Sequence, residues 1–251
     1  MNKVRNHGER MDKKVDDILN NAEKQLQEIE KDIIQLRKLI GFKSANENIA
    51  EHVSEKYLLR AEKLLVRYFN LILQTLLIDT EEDYNVIGTP RRLAKMYIHE
   101  ILAGRYQEPP KICCFPNVHQ KSSSAINMIG PIRVRSLCAH HFLPINGYVW
   151  CGVVYGEKLL GLSKFKRIVE WVMTRPQIQE EAVEQLADEF ERYIQPRGTA
   201  IYMQAAHSCM LWRGVKAEMS QFSNYTRRGL FADSEEYFSS FMRMVALQIH
   251  N

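Results

Sequence analysis

The run YVWCGVVY at residues 148–155 decides the fold class, together with the run TAIYMQA at residues 199–205. Both runs are rich in β-branched and aromatic residues, which is typical of short strands. The sequence between them predicts two helices, at about residues 163–174 and 178–194, and a last helix is expected at about residues 234–248. Because these helices and strands do not alternate as βαβ units, we expect an α+β domain with an antiparallel sheet.

The sequence upstream of these runs is helical in character. Residues 51–78 form one predicted helical stretch. Residues 88–90 then supply an N-cap and a proline at the first helical position, so a second helix is expected over residues 89–103. We therefore divide the chain into an N-terminal helical extension with its linker (1–48), a helical part (49–110) and an α+β catalytic domain (111–251).

Residues 15–40 carry apolar side chains at spacings that alternate between four and three, which is a heptad seam. The seam predicts either an oligomerising coiled coil or a single amphipathic helix packed on its own domain, and so few heptads do not decide between the two. Gly41 ends the segment, and residues 43–48 are expected to be a linker. The seam consists of Leu19, Ala22, Leu26, Ile29, Ile33, Leu36 and Ile40.

The composition narrows the class of protein. The 251 residues suffice for one good-sized domain plus an extension, and the net charge of +4 suits an anionic substrate without indicating nucleic acid. We expect neither a signal peptide nor a membrane span, because residues 1–14 are polar and the most apolar stretch, residues 64–78, contains Arg67. Five cysteines in such a chain predict reduced thiols or metal ligands and a cytoplasmic location.

The motif CAHH at residues 138–141 predicts a metal site. Cys138 and His141 are three residues apart and can reach one ion, and Cys209, directly after the second β-like run, is a third candidate ligand for zinc. Three protein ligands leave the fourth position of zinc open, as in catalytic sites. His140 and His207 would then be unligated imidazoles suited to proton transfer. The alternative is that Cys138 is a small buried apolar residue and the histidines are ordinary surface or core residues.

Several other residues suit an anionic ligand. Residues 161–164 lead into a helix with Ser163 as its expected N-cap, and a helix N-terminus attracts anions. Any one basic residue nearby could belong to a solvated face, whereas convergence around the metal would form a polyphosphate clamp. The basic candidates are Lys164 and Arg167, Arg92 and Lys95, and Arg213.

Gln179 and Glu180 are expected in the first turn of the helix at residues 178–194. A carboxylate there either complements the helix dipole or recognises a base. In the second case it would accept the ring N–H and the exocyclic amine of guanine, which discriminates against bases that lack those donors.

Five motifs occur in an order and spacing that resemble the GTP cyclohydrolase I family. They are TPRRLAKMY (89–97), CAHH (138–141), GLSKFKR (161–167), RPQIQE (175–180) and HSCMLWRG (207–214). The resemblance runs from about residue 89 to 245, and more loosely upstream to about residue 55. It implies a T-fold domain, with helices on one side of an antiparallel sheet, that assembles into a toroidal homodecamer with active sites at the subunit junctions.

The resemblance also implies roles for individual residues. The implied zinc ligands are Cys138, His141 and Cys209, and the implied proton-transfer residues are His140 and His207. Guanine recognition falls to Gln179 and Glu180, with Glu180 as the anchor. The implied triphosphate contacts are Ser163, Lys164, Arg167 and Arg213, with Arg92 and Lys95 supplied by a neighbouring subunit.

The implied reaction converts GTP and water to 7,8-dihydroneopterin triphosphate and formate. Zinc would make the attacking water nucleophilic, and an imidazole would protonate the ring nitrogen as the ring opens. The chain departs from the family at Ala139, where Glu is usual, and at residues 219–228, which are poorer in Thr and Ser. Either departure could change the rate, the substrate or the product.

Three alternatives stand beside this hypothesis. The first is a paralogue that opens a related purine nucleotide, which Ala139 and the N-terminal extension favour. The second is a non-catalytic nucleotide-binding oligomer, against which the histidine pair His140 and His207 argues. The third is the nitrile-reductase branch of the same fold, which the zinc ligands and phosphate residues disfavour.

Overall fold

The computed structural model describes residues 43–119 and 124–249 continuously, and residues 20, 23, 27, 30, 31, 33–38, 40 and 41 of the N-terminal segment. The chain divides into the compact units Met1–Ser44 and Ala45–Asn251. The described residues between 20 and 40 are helical, and Gly41 follows with a φ of 77°, a left-handed conformation that commonly ends a helix. Leu19, Ala22, Leu26 and Ile29 of the heptad seam lie outside the described residues, so the coiled coil stays a prediction.

The unit Ala45–Asn251 contains both helices and strands. Its α-helices are α1 (Glu55–Thr75), α2 (Thr89–Met96), α3 (Ala103–Tyr106), α4 (Leu162–Met173), α5 (Gln179–Ile194), α6 (Ser208–Leu211), α7 (Leu230–Asp233) and α8 (Glu235–Ile249). Its strands are β1 (Cys114–Pro116), β2 (Asn127–Cys138), β3 (Pro144–Val154), β4 (Lys158–Leu160), β5 (Pro176–Gln177), β6 (Gly198–His207) and β7 (Phe222–Gly229). Among the described residues, no helix combines the length and the apolar character that a membrane crossing requires.

The predicted helix over residues 89–103 is not one regular α-helix. Gly88 is the N-cap of α2 with a φ of 78°, so that Pro90 lies at the second helical position rather than the first. The α-helix ends at Met96, and a π-helix (Tyr97–Ile101) follows it directly. α1 packs alongside this segment, since the rings of Phe69 and Tyr97 stack with centroids 5.5 Å apart.

A five-stranded sheet with the order β5-β2-β3-β6-β7 forms the centre of the unit. Its four long strands pair antiparallel, as expected, while the two-residue β5 pairs parallel with β2. Within this sheet, the sequence-based expectation did not include the first part of β2, the short strand β5 or any of β7. Gly130 and Pro131 break the strand pattern of β2, and the register shifts between Ile129 and Ile132 at that point. A bulge is where a sheet tolerates proline.

The principal core lies between one face of the sheet and the helices α4 and α5. Val134 of β2 and Val149 of β3 are fully buried there against Phe165 of α4 and Phe190 of α5. The two phenylalanine rings are tilted, with centroids 5.0 Å apart. This layer of alternating inward-facing apolar residues fixes the start of α5 next to the end of β2.

The opposite face of the sheet is covered by α8, which corrects the expectation that helices lie on one side only. Trp150 and Val154 of β3 point away from the principal core and pack with Phe241 and Val245 of α8. Gly152 makes this possible, because a Cβ there would lie 2.6 Å from the Phe241 ring. Since β3 is apolar on both faces, both faces require a covering layer.

The residues predicted to form a linker are instead hydrogen-bonded into the larger unit from Ala45 onward. The Arg175 guanidinium donates to the Asn46 carbonyl oxygen at 3.1 Å, and the Asn46 side-chain amide donates to the Glu181 carboxylate at 2.5 Å. The Asn48 side chain donates to the Gly104 carbonyl oxygen at 2.8 Å. The segment therefore braces the start of α5 from outside the sheet.

Candidate metal centre and active site

Two thiols and one imidazole meet where β2 ends and β6 leads into α6. Cys138 is the last residue of β2, and His141 lies in the turn that follows. That turn is tight, since the Cys138 N–H donates to the Leu143 carbonyl at 2.8 Å and Phe142 has a φ of 52°. Cys209 joins them because β3 pairs with both β2 and β6, which brings the ends of these two strands together.

The geometry of these three side chains fits a zinc ion. The candidate ligand atoms of Cys138, His141 and Cys209 all lie within 4.8 Å of one another, and the Cys138 Sγ to His141 Nδ1 distance is 3.8 Å. Tetrahedral zinc with ordinary zinc–sulfur and zinc–nitrogen bonds separates such atoms by about 3.6 Å. Two soft sulfurs with one imidazole nitrogen also form a donor set that zinc prefers.

The electrostatics of the thiols favour a cation among them. Burial raises the pKa of Cys209, the neighbouring Cys138 raises it further, and Arg213 partly offsets both. Cys209 therefore resists ionising unless a positive charge lies beside it. A metal ion would supply that charge and favour the thiolate of Cys209.

A cavity of about 450 Å³ opens beside the three candidate ligands. Its volume is within the range of small-molecule sites. The lining residues come from the ends of β2, β5 and β6, the turn after β2, the helices α5 and α6, and the chain around the start of β7. They are Cys138, His140, His141, Gln177, Ile178, Gln179, Glu180, His207, Cys209, Met210, Ser220, Gln221 and Phe222.

Both predicted proton-transfer residues line this cavity, in different environments. His140 is exposed, and its ring lies edge-on to that of His141 with centroids 6.3 Å apart. His207 is half-buried; burial lowers its pKa, and the nearby Glu180 carboxylate opposes that shift. A lowered pKa keeps an imidazole neutral, and so able to accept a proton, near neutral pH.

Gln179 and Glu180 lie in the first turn of α5, as predicted, but their side chains differ in surroundings. The Glu180 side chain is exposed at the cavity. Gln179 is only 1% exposed, and its amide is hydrogen-bonded to His207, Asn224 and backbone carbonyls. Of the predicted pair, only Glu180 therefore has polar side-chain atoms that are available to a ligand.

The predicted phosphate residues do not line the cavity. Ser163 is not the N-cap of its helix: α4 starts at Leu162, its N-cap is Gly161, and no side chain caps it. The Lys164 ammonium donates to the Lys111 carbonyl at 3.1 Å. The Arg92 guanidinium contacts its own helix start, donating to the Thr89 hydroxyl at 2.5 Å. The remaining candidates, Arg167, Arg213 and Lys95, also lie outside the lining set.

Comparisons with known proteins decide the family. The sequence pattern of the family described as GTP cyclohydrolase I matches residues 66–246. The GTP cyclohydrolase 1 of Haemophilus ducreyi is 33% identical over 187 residues, which cover 74% of this chain and 84% of that protein. The GTP cyclohydrolase 1 of Erwinia tasmaniensis is 31% identical over 185 residues, covering 73% and 82%.

The chain belongs to the GTP cyclohydrolase I family. The resemblance predicted from the five motifs is confirmed, and the protein is a GTP cyclohydrolase I-type enzyme. Its α+β architecture is consistent with the T-fold of that family. Among solved structures, an apo archaeosine synthase QueF-Like matches 43% of this chain at 14% identity, with a TM-score of 0.36.

Sequence reasoning on this GTP cyclohydrolase I-type chain missed part of the cavity wall. Gln177 is 1% exposed; its amide donates to the Val172 carbonyl at 2.8 Å, and its Oε1 has no hydrogen-bond partner among the described residues. Phe222 lines the cavity from the start of β7 and lies edge-on to His207. The RPQIQE motif could have indicated Gln177, whereas no local signal indicates Phe222.

Proposed function

We propose that this chain hydrolyses the imidazole ring of the guanine of GTP, giving 7,8-dihydroneopterin triphosphate and formate. The observation that carries the proposal is the meeting of three zinc-type ligand atoms with Glu180 and His207 at one cavity. A ring-opening hydrolysis needs a nucleophilic water, a proton donor and an anchor for the base. At this cavity, a zinc ion on the three candidate ligands would supply the nucleophilic water, His207 the proton donor and Glu180 the anchor for the base.

The residues that would hold the zinc are Cys138, His141 and Cys209. A zinc ion held by them supplies Lewis-acid chemistry, which makes water a competent nucleophile near neutral pH. Glu180 would accept the ring N–H and the exocyclic amine of guanine, which orients the base. His207 and His140 would exchange protons with the ring nitrogen and the leaving formyl group.

We further propose that the triphosphate is bound by residues of more than one copy of the chain. The candidate contacts are Ser163, Lys164, Arg167 and Arg213, with Arg92 and Lys95 from a neighbouring copy. None of these six lines the cavity within a single copy. A homo-oligomer, proposed to be a toroidal homodecamer, would bring the basic residues of one subunit to the cavity of the next.

The alanine at position 139 is the observation that favours a second candidate substrate class. Its N–H donates to the carbonyl of Gln177, a residue of the cavity wall, at 3.0 Å, and it lies in the chain between Cys138 and His140, which also line the cavity. A methyl group here, where the family usually carries a carboxylate, leaves one charge fewer beside the substrate. A related purine nucleoside triphosphate is therefore the alternative substrate.

The test is turnover of purine nucleoside triphosphates by the purified, zinc-loaded full-length protein. Formate release and pterin fluorescence are followed with GTP, ITP and ATP. We expect product with GTP, and loss of both zinc and product in Cys209→Ser, while Cys113→Ser, which changes an exposed cysteine outside the site, keeps both. No product from any nucleotide in protein with stoichiometric zinc would refute the proposed reaction.

A further inference from the structure

The buried amide of Gln179 lies between the strand β7 and the His207 ring. Its nitrogen Nε2 donates to three oxygens: Asn224 Oδ1 at 2.8 Å, the Phe222 carbonyl at 3.1 Å and the Met203 carbonyl at 3.3 Å. Its oxygen Oε1 lies 2.8 Å from His207 Nε2. With the side chain almost fully buried, water does not provide substitutes for these bonds.

The orientation of this amide follows from the atoms around it. Exchanging Nε2 and Oε1 of Gln179 would bring an oxygen against three other oxygens, none of which can donate in that arrangement. Asn224 cannot turn to relieve the clash, because its own Nδ2 donates to the Gln179 backbone carbonyl at 3.3 Å. Each amide therefore fixes the orientation of the other.

A fixed Gln179 determines which nitrogen of His207 carries a proton. Oε1 of Gln179 is only an acceptor, so the His207 Nε2 that faces it must be the N–H. In a neutral imidazole the other nitrogen is then unprotonated. The ring itself is also restrained, since Phe222 packs against its edge with centroids 6.1 Å apart.

We propose that Gln179 and Asn224 are positioning residues that hold His207 as its Nε2–H tautomer, so that Nδ1 is the nitrogen that accepts and returns protons during turnover. The catalytic consequence rests on the proposed function, but the tautomer does not. The proposal also removes the Gln179 side chain from guanine recognition, because both its oxygen and its nitrogen are already engaged. Base selection then falls to Glu180.

The tautomer is measured directly by magic-angle-spinning NMR of the full-length protein labelled with ¹⁵N-histidine, at about pH 8, where an ordinary imidazole is neutral. The two ring nitrogens of a neutral histidine have well-separated shifts, and His207→Gln identifies the signals of residue 207. We expect a single Nε2–H tautomer in the unaltered protein. A dominant Nδ1–H tautomer there would overturn the proposal.

Two variants each remove one of the hydrogen-bonding groups that would fix the tautomer of His207. Gln179→Leu deletes the acceptor for His207, and Asn224→Ala deletes the group that holds the Gln179 amide. We expect both to give a mixture of tautomers. The control is Ser223→Ala, an exposed neighbour on the same strand, which should keep the single tautomer. Pure Nε2–H tautomer in both folded variants would refute the positioning role.

Kinetics separate positioning from binding. Complete loss of a proton-transfer group lowers kcat by about 100- to 10,000-fold. Gln179→Leu keeps His207 but no longer fixes its tautomer or its ring, so we expect a smaller fall in kcat, about 10-fold, with the KM for GTP within about threefold. A rise in KM at unchanged kcat would instead assign Gln179 to guanine binding and reject our proposal. If Gln179→Leu does not fold, Asn224→Ala decides. A chain that turns over no GTP would fail the proposed function while the NMR result still decides the tautomer.

Discussion

At the scale of single residues, we propose that the charge of Glu180 is the feature that selects guanine at the cavity. We predict that Glu180→Gln reduces the preference for GTP over ATP, measured as the ratio of their kcat/KM values, by about 10- to 100-fold. An amide keeps the shape of the side chain but replaces one acceptor with a donor, so it cannot accept both guanine N–H groups. A hydrogen bond to a charged group is worth about 1.5–3 kcal/mol, which sets this magnitude.

The neighbouring residue provides the matched control. Glu181 occupies the same helical turn, but it accepts from the Asn46 side chain and does not line the cavity. Glu181→Gln retains an oxygen for Asn46 and should leave the GTP to ATP ratio unchanged. Equal preference ratios in the Glu180→Gln variant and the unaltered protein would show that the carboxylate does not read the base.

Contacts between residues close together in the sequence could be predicted, whereas contacts between residues on strands far apart in the sequence could not. Cys138 and His141 are joined by a short turn, so their spacing, together with Cys209, predicted a shared candidate metal site. The sequence indicated base recognition for Gln179 together with Glu180, but not its hydrogen bond to Asn224, which lies 45 residues further along the chain. No local pattern reports that pairing, which arises only once β7 has added to the sheet beside β6.

At the scale of secondary structure elements, hydrophobic periodicity predicted α4, α5, β3 and β6 to within a few residues. It failed where local and tertiary preferences disagree. β2 runs through a glycine and a proline because a bulge accommodates them. β7 is polar at most positions, and its pairing with β6 is what makes it a strand. The π-helix after α2 also leaves no mark in the apolar spacing.

The contact between α3 and α4 depends on a glycine. A Cβ on Gly104 would lie 1.9 Å from the Trp171 carbonyl oxygen and 2.6 Å from the Thr174 hydroxyl. We predict that Gly104→Ala lowers the free energy of unfolding by about 1–3 kcal/mol, the usual cost of overpacking. Urea denaturation measures this. Gly161→Ala is the control, since its Cβ would meet nothing closer than 3.6 Å, and equal stability losses in both variants would contradict the steric argument.

A second contact between elements attaches the far end of β7 to α5. The Arg228 guanidinium reaches three carboxylates of that helix, Glu184 at 2.7 Å, Asp188 at 2.6 Å and Glu191 at 3.0 Å. We predict that Arg228→Met lowers the free energy of unfolding at pH 7 by about 1–2 kcal/mol, because three partly exposed ion pairs are lost together and three like charges then share one helix face. Arg192→Met, which removes one ion pair of a more exposed arginine, should cost less than about 1 kcal/mol.

The pH dependence of this contact has a definite sign. Burial alone would raise the pKa of Glu184, but hydrogen bonds from Arg228 and Thr226 outweigh it and hold the pKa below 4.5. A carboxyl whose pKa is lowered by folding contributes its full stability above the unfolded pKa and loses it as pH falls through the folded pKa. The stability difference between the unaltered protein and Arg228→Met should therefore shrink below about pH 4.5. A difference that grows on acidification would exclude the ion pairs as its cause.

At the scale of the whole molecule, the candidate site is divided between two regions. The candidate metal ligands, the proposed proton-transfer residues and Glu180 surround one cavity, whereas Arg92 and Lys95 lie on α2 outside its wall. A triphosphate is strongly negative, and in a single copy Arg92 and Lys95 are not at the cavity to neutralise it. Assembly of several copies would join the two halves, so activity should depend on which chains are neighbours.

Mixed assemblies test this dependence. We predict that Cys209→Ser and the double variant Arg92→Ala/Lys95→Ala are each nearly inactive alone, because one lacks the metal ligand and the other the phosphate contacts. After the two are unfolded and refolded together in equal amounts, about a quarter of normal GTP turnover should return, since half the cavities are intact and half of those have an intact neighbour. The measurement is formate release per total chain.

Replacing the double variant with Arg91→Ala separates complementation from simple averaging. Arg91 is exposed next to Arg92 on α2 but has no assigned phosphate contact, so this variant should be active alone, and its mixture with Cys209→Ser should show about half of normal turnover. If the mixture with the double variant stays inactive although size measurements show mixed oligomers, each cavity uses the basic residues of its own chain. The proposal of active sites shared between copies would then be wrong. Recovery of GTP turnover in the mixture, in contrast, requires that a cation on one copy reach the substrate bound at another.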